Sequence, residues 1–170
     1  MVPYDYLKQR QPEVCEKLRA VLVEWLIEVH AKFKMLPETL YLSVNIIDRF
    51  LAIQRVARRE LQAVGLAAIL IASKYEEIYP PRVTEFVRIA ERKISRDELL
   101  AMEFRVLSKL DFDLTHPSSF LFLERYIKLA RADDDLLGLA QCLCEHTLLD
   151  YKFLRHRPSR IAAASLSLAF

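Results

Sequence analysis

The chain has 170 residues, of which 53% are hydrophobic and 28% charged, with a formal net charge of +2. This balance excludes a disordered tail, and the length fits one compact domain or two small ones. Only two glycines are present, Gly65 and Gly138. Phosphate-binding loops, dinucleotide fingerprints and nucleophile elbows each need glycine at defined positions, so these classes of site are disfavoured.

The cysteine content and the start of the chain bear on compartment and cofactors. Three cysteines and no apolar leader predict reduced thiols in the cytosol or nucleus. The longest apolar run, residues 63–72, is shorter than the roughly 20 residues of a membrane span and indicates a buried core helix. The cysteines and histidines complete no zinc spacing, so neither a metal nor a cofactor is expected.

Helical periodicity recurs along the chain and strand signals are nearly absent, which predicts an all-α protein. The first amphipathic helix begins at Pro12 and continues to Phe33. It carries one broad apolar face and a second apolar stripe, formed by Ala20, Val23, Ile27 and Ala31. A helix that is apolar on two sides is enclosed by neighbours, so we expect this one at the centre of a bundle.

Four more helices follow, separated by helix start and stop signals. The pattern predicts them over residues 37–54, 59–78, 84–90 and 96–110. In the first of these four, Asp48 and Arg49 lie outside the apolar positions and are predicted to turn away from the core. Ser95 with Glu98 forms a capping box at the start of the last one.

The pattern restarts after Asp111. Further helices are predicted from Pro117, from the acidic run at residues 133–135, and from Pro158. Residues 64–72 (VGLAAILIA) and 161–169 (IAAASLSLA) are similar, which indicates a repeat of about a hundred residues with its third helix at the core. Because the second copy stops at Phe170 in mid-helix, we expect the chain to be a fragment.

Seven short motifs follow one another along the first 114 residues. They are LRAVLVEWLIEV at residues 18–29, ETL at 38–40, IDRF at 47–50, LQAVG at 61–65, ASKYEEIYPP at 72–81, ME at 102–103 and LDFDL at 110–114. In order and in spacing they resemble the cyclin box. The forms around Tyr75 and Tyr151 are most similar to B-type, mitotic cyclins. The resemblance implies a helical lead-in (1–12), an N-terminal cyclin box of five helices (13–114) and part of a C-terminal box (115–170).

The resemblance also implies a function without catalysis. A cyclin binds a cyclin-dependent kinase beside its regulatory αC helix and activates it, so we expect a kinase regulator with no catalytic residues of its own. The kinase-contacting positions would be Lys74, Tyr75, Glu103, Leu107 and Phe112. Arg19 and Asp48 match an internal ion pair of the family. The expected compartments are the nucleus and cytoplasm.

A second surface of the family docks substrates or inhibitors that carry an RxL motif. The positions that match it are Leu18, Val21, Leu22, Trp25, Glu28, Leu61, Gln62 and Ile89. In this interpretation the apolar members receive the leucine of the motif, and Glu28 meets its basic residue. An apolar stripe at helical spacing is more often core, so these positions also have a purely structural explanation.

Two other classes of function stay open at this point. The main alternative is a general transcription factor of the cyclin-box type, which binds DNA and a polymerase. The small net charge disfavours nucleic acid as a partner, although short arginine clusters occur around Arg58 and Arg155. The third class is an all-helical enzyme. The sequence offers no acid, base and nucleophile at spacings that would bring them together, which disfavours this class.

Overall fold

The computed structural model describes residues 3, 5–91, 93–130 and 134–170, the last range beginning with the backbone of residue 134. All regular structure in these ranges is helical. The α-helices are α1 (Tyr6–Arg10), α2 (Glu16–Phe33), α3 (Pro37–Ile53), α4 (Leu61–Glu76), α5 (Val83–Ile89), α6 (Arg96–Lys109), α7 (Ser119–Ala130), α8 (Asp134–His146) and α9 (Pro158–Ala169). Two 3-10 turns, Arg58–Glu60 and Tyr151–Arg155, precede α4 and α9.

Helix α4 is the centre of the first group of helices. All its residues from Val64 to Ser73 are buried, and α2, α3, α5 and α6 pack around it. Such complete burial explains why its sequence is apolar on every side. The five-helix bundle of α2 to α6 confirms the predicted fold class.

Helices α7, α8 and α9 form a second group with a core of its own. Helix α9 packs against both α7 and α8, and buries Ala162, Ser165 and Leu166 among them. This second core resembles the first in having an alanine-rich helix between its neighbours. No helix in the described part of the chain is long and apolar enough to cross a membrane.

The position of α2 corrects the first prediction. Its buried residues, among them Leu22, Val23 and Leu26, form one face, whereas Val21 and Ala31 are exposed. The prediction that this helix occupies the bundle centre is therefore wrong, because α4 holds that place. The two predicted apolar stripes do not lie on opposite sides of the helix. Val23 from one stripe and Leu22 and Leu26 from the other share the same buried face.

The helix boundaries differ from prediction where a tertiary contact intervenes. Helix α4 ends at Glu76, and the backbone of Glu77 is extended. The Glu77 carboxylate caps the start of α3, where it accepts hydrogen bonds from Leu36 N (2.7 Å) and Thr39 Oγ1 (2.6 Å). Helix α6 starts where the sequence predicts, since Ser95 Oγ accepts from Glu98 N (3.2 Å). The predicted helix start at Asp133 lies outside the described residues.

The two glycines give opposite predictions for substitution by alanine. A Cβ on Gly65 would lie 2.7 Å from Leu22 Cδ1 in the core, whereas one on Gly138 meets nothing within 4 Å. We expect Gly65→Ala to lower the free energy of unfolding by about 1–3 kcal/mol through overpacking. Gly138→Ala, within α8, should raise it by about 0.5–1 kcal/mol through helix propensity. Urea unfolding measures both, and equal effects would contradict the packing argument.

Candidate binding surfaces

The first candidate surface contains an ion pair between two helices. Lys74, in the last turn of α4, places its Nζ 2.6 Å from Oε1 of Glu103 on α6. The lysine side chain is 46% exposed and the glutamate side chain 12%. The resemblance assigned both charges to a partner, and in this chain they neutralise each other at the rim of the bundle.

The other three predicted kinase-contacting residues lie near this ion pair. Tyr75 follows Lys74 and is exposed, with its hydroxyl 3.3 Å from Thr115 Oγ1. Phe112, in the turn after α6, is also exposed, and its N–H donates to the Leu107 carbonyl (3.0 Å). Leu107 packs against the core from the side. The structure therefore brings all five residues to the adjoining ends of α4 and α6.

The turn that carries Phe112 is conformationally strained. Asp111 and Phe112 both have left-handed backbone angles, with φ of 52° and 56°. This region disfavours residues with a Cβ, and a bulky aromatic is rare there. The Phe112 side chain at this turn is 62% exposed.

Three further exposed apolar side chains adjoin this surface, and sequence reasoning assigned none of them a role. Phe104 on α6 is 68% exposed, and Ile78 and Tyr79, after α4, are 85% and 91% exposed. Phe104 was detectable, because the buried positions Leu99, Met102 and Val106 place it on the polar side of α6. We call the five predicted residues together with these three the α4–α6 surface.

The predicted docking residues divide into a floor and a rim. Leu22 and Leu61 are buried, and they form the floor where α2 crosses α4 at Gly65. Leu18, Trp25 and Ile89 are half-buried and pack against the same core.

The rim consists of the side chains that a ligand could reach. Val21 is 54% exposed, Glu28 is exposed and Gln62 is half-buried. The structure thus brings together the members on α2 and α4. Among the α2 members, Val21 is exposed and Leu22 is buried. We call these eight residues the docking patch.

A buried ion pair connects α2 to α3. Arg19 and Asp48 are almost fully buried and form two parallel hydrogen bonds, Nε to Oδ1 (2.7 Å) and Nη2 to Oδ2 (2.8 Å). The prediction that Asp48 turns away from the core is wrong. The helical pattern of α3 could not show that the charged side chain of Arg19 is buried next to it. Arg49 beside it is half-exposed and contacts Asp113 (3.2 Å).

This ion pair is part of a network that joins the two groups of helices. Arg19 Nη1 donates to the carbonyl of Leu148 (2.8 Å), and the Tyr6 hydroxyl donates to Asp48 Oδ1 (2.7 Å). Burial and the Asp48 charge raise the pKa of Tyr6, so its hydroxyl stays a donor. Burial alone would lower the pKa of Arg19, but the Asp48 carboxylate more than offsets this and raises it.

Two tyrosines complete the junction. Tyr151 enters the first core, where its hydroxyl accepts from Leu7 N (3.1 Å) and its ring lies 5.4 Å from that of Tyr6. Tyr41 of α3 enters the second core, 5.7 Å from the Phe120 ring. Each group of helices thus contributes an aromatic side chain to the other. No sequence pattern signalled these contacts of Tyr6 and Tyr151, because their partners are distant in the chain.

The described residues contain no group of three or more His, Cys, Asp or Glu side chains placed to hold a metal ion. The two surfaces consist mainly of apolar side chains, with the Lys74–Glu103 ion pair on one and the exposed Glu28 on the other. In protein interfaces generally, apolar anchors supply affinity and charges supply orientation.

Comparison with known proteins identifies the class of this fold. The family model "Cyclin, N-terminal domain" matches residues 1–115, and "Cyclin, C-terminal domain" matches residues 117–170. The chain belongs to the cyclin family. The resemblance noted in the sequence is thereby confirmed.

Relatives with high sequence identity include plant mitotic cyclins. The chain is 49% identical to G2/mitotic-specific cyclin S13-7 of Glycine max over 98% of its length, and 47% identical to Cyclin-B1-3 of Arabidopsis thaliana over 94%. It spans 65% of the first relative and 38% of the second.

Solved structures share the fold. A viral cyclin from herpesvirus saimiri superimposes with a TM-score of 0.87 at 25% identity, over 97% of this chain and 74% of that one. A chain of the CAK complex from Chaetomium thermophilum bound to ATP-gamma-S gives a TM-score of 0.69 at 21% identity, over 96% and 58%.

Proposed function

We propose that this chain is the regulatory subunit of a cyclin-dependent protein kinase, which it binds and activates during mitosis. The observation that carries the proposal is the α4–α6 surface, where the exposed Tyr75, Phe104 and Phe112 belong to the same two helices, and the turn after α6, as the Lys74–Glu103 ion pair. Aromatic anchors around a few charges are typical of the energetically dominant part of a protein interface. Relatives named as G2/mitotic cyclins support the choice of partner.

Activation would act through the kinase conformation rather than through chemistry. A protein kinase needs an ion pair between a strand lysine and a glutamate of αC to position ATP. A subunit that binds only the form with αC inward shifts the population toward it, by as much as its differential affinity allows. The chain then needs a rigid surface and no catalytic group. Most of its proposed binding residues stand on two packed helices, which provide that rigidity.

The direct test is to add the purified chain to a panel of cyclin-dependent kinases and measure binding and peptide phosphorylation. At least one kinase should bind and gain activity, and a panel without any such kinase would contradict the proposal.

Cyclin-family membership favours this function over a general transcription factor. The nucleus and cytoplasm are the compartments we propose, in keeping with cysteines that are unpaired in the structure.

We further propose that the docking patch recruits substrates or inhibitors with an RxL motif. The half-buried Trp25 and exposed Val21 would cover the leucine of the motif, and Glu28 would attract its basic residue. Burying one leucine contributes roughly 1.5–3 kcal/mol, so such docking is weak and raises local substrate concentration rather than holding the substrate tightly.

Val21→Glu tests the patch without disturbing the core, because this side chain is mostly in solvent. In complex with its kinase, the variant should raise KM for an RxL-containing substrate about tenfold, since a carboxylate would replace apolar contact. A peptide without the motif should be phosphorylated as before. Ala31→Glu, at an exposed position of α2 outside the patch, is the matched control. Equal loss for both substrates would contradict docking at this site.

A further inference from the structure

One short segment at the start of α9 is strongly basic. Residues 155–160 read RHRPSR, and residues 151–170 contain neither Asp nor Glu. Arg155, Arg157 and Arg160 are exposed. Among the described residues, no acidic side chain forms an ion pair with Arg157 or Arg160. These two arginines therefore present positive charge that the described part of the chain leaves unpaired.

Ser159 lies between these two arginines. It is the second residue of α9, after Pro158, and is half-buried. It lines a cavity of about 450 Å³ between the two groups of helices, where the exposed Phe153 and Arg157 form part of the rim. No hydrogen bond within the described part of the chain involves the Ser159 hydroxyl. The hydroxyl is thus free to react, and the cavity has space for a larger group.

The chain in front of Ser159 is extended. His156 and Arg157 have ψ of 145° and 143°, and the helix begins only with Pro158. An extended segment can lie in a groove of a partner and present its side chains at fixed spacing. Relative to Ser159, arginines stand four and two residues before it and one residue after it. A protein kinase with an acidic substrate groove selects its acceptors by such a pattern of positive charges.

Two other serines have basic neighbours, but their surroundings differ. Ser108 lies inside α6, and Arg105, three residues before it, pairs with Glu60 (3.0 Å). Ser95 caps α6, where its Oγ accepts a hydrogen bond from the backbone of the first turn (3.2 Å). The basic residues on both sides of Ser95 are paired with acidic neighbours. Ser159 is therefore the acceptor that the charges and the backbone favour.

We propose that Ser159 is a phosphorylation site for a protein kinase that selects arginine on both sides of its acceptor serine. The Ser159 Oγ attacks the γ-phosphorus of ATP bound to that kinase, and the bond from this phosphorus to the oxygen of the leaving ADP breaks. The hydroxyl proton passes to the catalytic base of the modifying kinase. The site is independent of the proposed kinase-binding function, because Ser159 belongs to neither the α4–α6 surface nor the docking patch.

The phosphate strengthens the start of α9. It carries about two negative charges at pH 7 and stands in the first turn of the helix, where negative charge is stabilising. Arg157 and Arg160 are close to it in the chain. Of the two carboxylates in the cavity lining, Asp48 is paired with Arg19, and Asp150 is exposed to solvent, which screens its repulsion. Phosphorylation should therefore raise the melting temperature by about 2–4 °C.

Phosphate transfer in vitro tests the proposal. The folded chain is incubated with radiolabelled ATP and a panel of purified protein kinases that select basic substrates, and the label is mapped by mass spectrometry. At least one kinase should label the chain, and Ser159→Ala should lower the label at least about tenfold. Ser167→Ala removes an exposed serine of α9 that has no charged neighbour, and this matched control should keep the label.

Two charge variants test how the acceptor is selected. Arg157→Ala should slow phosphorylation about tenfold, whereas Lys152→Ala, the same loss of charge seven residues before the acceptor, should slow it less than about twofold. The melting temperature is compared before and after phosphorylation. Absence of label with every kinase, label that persists in Ser159→Ala, equal effects of the two charge variants, or a lower melting temperature after phosphorylation would overturn the proposal.

Discussion

Exchanging the charges of Lys74 and Glu103, in the double variant K74E/E103K, should weaken kinase binding by at least about 100-fold while the chain stays folded. The exchange retains an ion pair between α4 and α6, so the free energy of unfolding should change by less than about 1 kcal/mol. What changes is the sign of each charge that the partner meets. Affinity is measured by calorimetry and activation by peptide phosphorylation.

The size of this effect follows from burial on binding. Glu103 is already nearly covered, and a partner over Tyr75 and Phe112 would remove Lys74 from water as well. A charge that is desolvated opposite a like charge costs several kcal/mol. Alanine at either position alone would mix this effect with the loss of the internal pair. The double exchange separates the two.

The matched control is a second lysine–glutamate pair, Lys93 with Glu91, which lies on the exposed loop before α6 (3.0 Å). The exchange K93E/E91K makes the same formal change outside the α4–α6 surface, and affinity should stay within about twofold. If K74E/E103K bound a kinase as tightly as this control does, the proposed interface would be wrong.

Replacing Arg19 by methionine should lower the free energy of unfolding by about 3–5 kcal/mol, the second large effect that we expect. The variant leaves the Asp48 carboxylate buried with only the Tyr6 hydroxyl as donor, and it leaves the Leu148 carbonyl without its guanidinium partner. Urea unfolding followed by circular dichroism measures the loss. Kinase binding should fall with it, because α2 loses its anchor to α3.

Two comparisons keep this prediction specific. Arg49→Met breaks the more exposed pair with Asp113 and should cost less than about 1 kcal/mol. Adding Asp48→Leu to Arg19→Met removes the stranded charge and should recover at least about half of the loss, since apolar replacement of a buried ion pair is often tolerated. No recovery in the double variant would mean that the network matters through shape rather than charge.

Much of the helical architecture was predictable because its signals are local. The capping box at Ser95, proline at the first turn of α3 and α9, and the apolar run of α4 each act within a few residues, and the helices begin or end close to them. The family motifs also predicted that Lys74 and Glu103 lie on one surface, and the two residues form an ion pair between α4 and α6.

Two features that periodicity misplaced depend on residues far apart in the chain. The direction of Asp48 depends on Arg19, 29 residues away, a pair that only the family resemblance predicted. The end of α4 depends on the backbone of Leu36, 41 residues from Glu77. Helix periodicity reports which residues share a face, and it does not report what that face meets. For the same reason the pattern placed α2 at the centre of the bundle, although it correctly predicted that α4 is buried in the core.

The amino-acid sequence by itself determined an all-helical chain with an internal repeat, because helix caps, breakers and apolar periodicity are local properties. The cyclin box was added by the resemblance of its motifs. Only the tertiary structure decided how the two groups of helices join. The exchange of Tyr41 and Tyr151, the bond from Arg19 to Leu148 and the unpaired oxygen of Asn45 arise where distant segments meet. Burial and hydrogen-bond partners are properties of that packing, so no single segment encodes them.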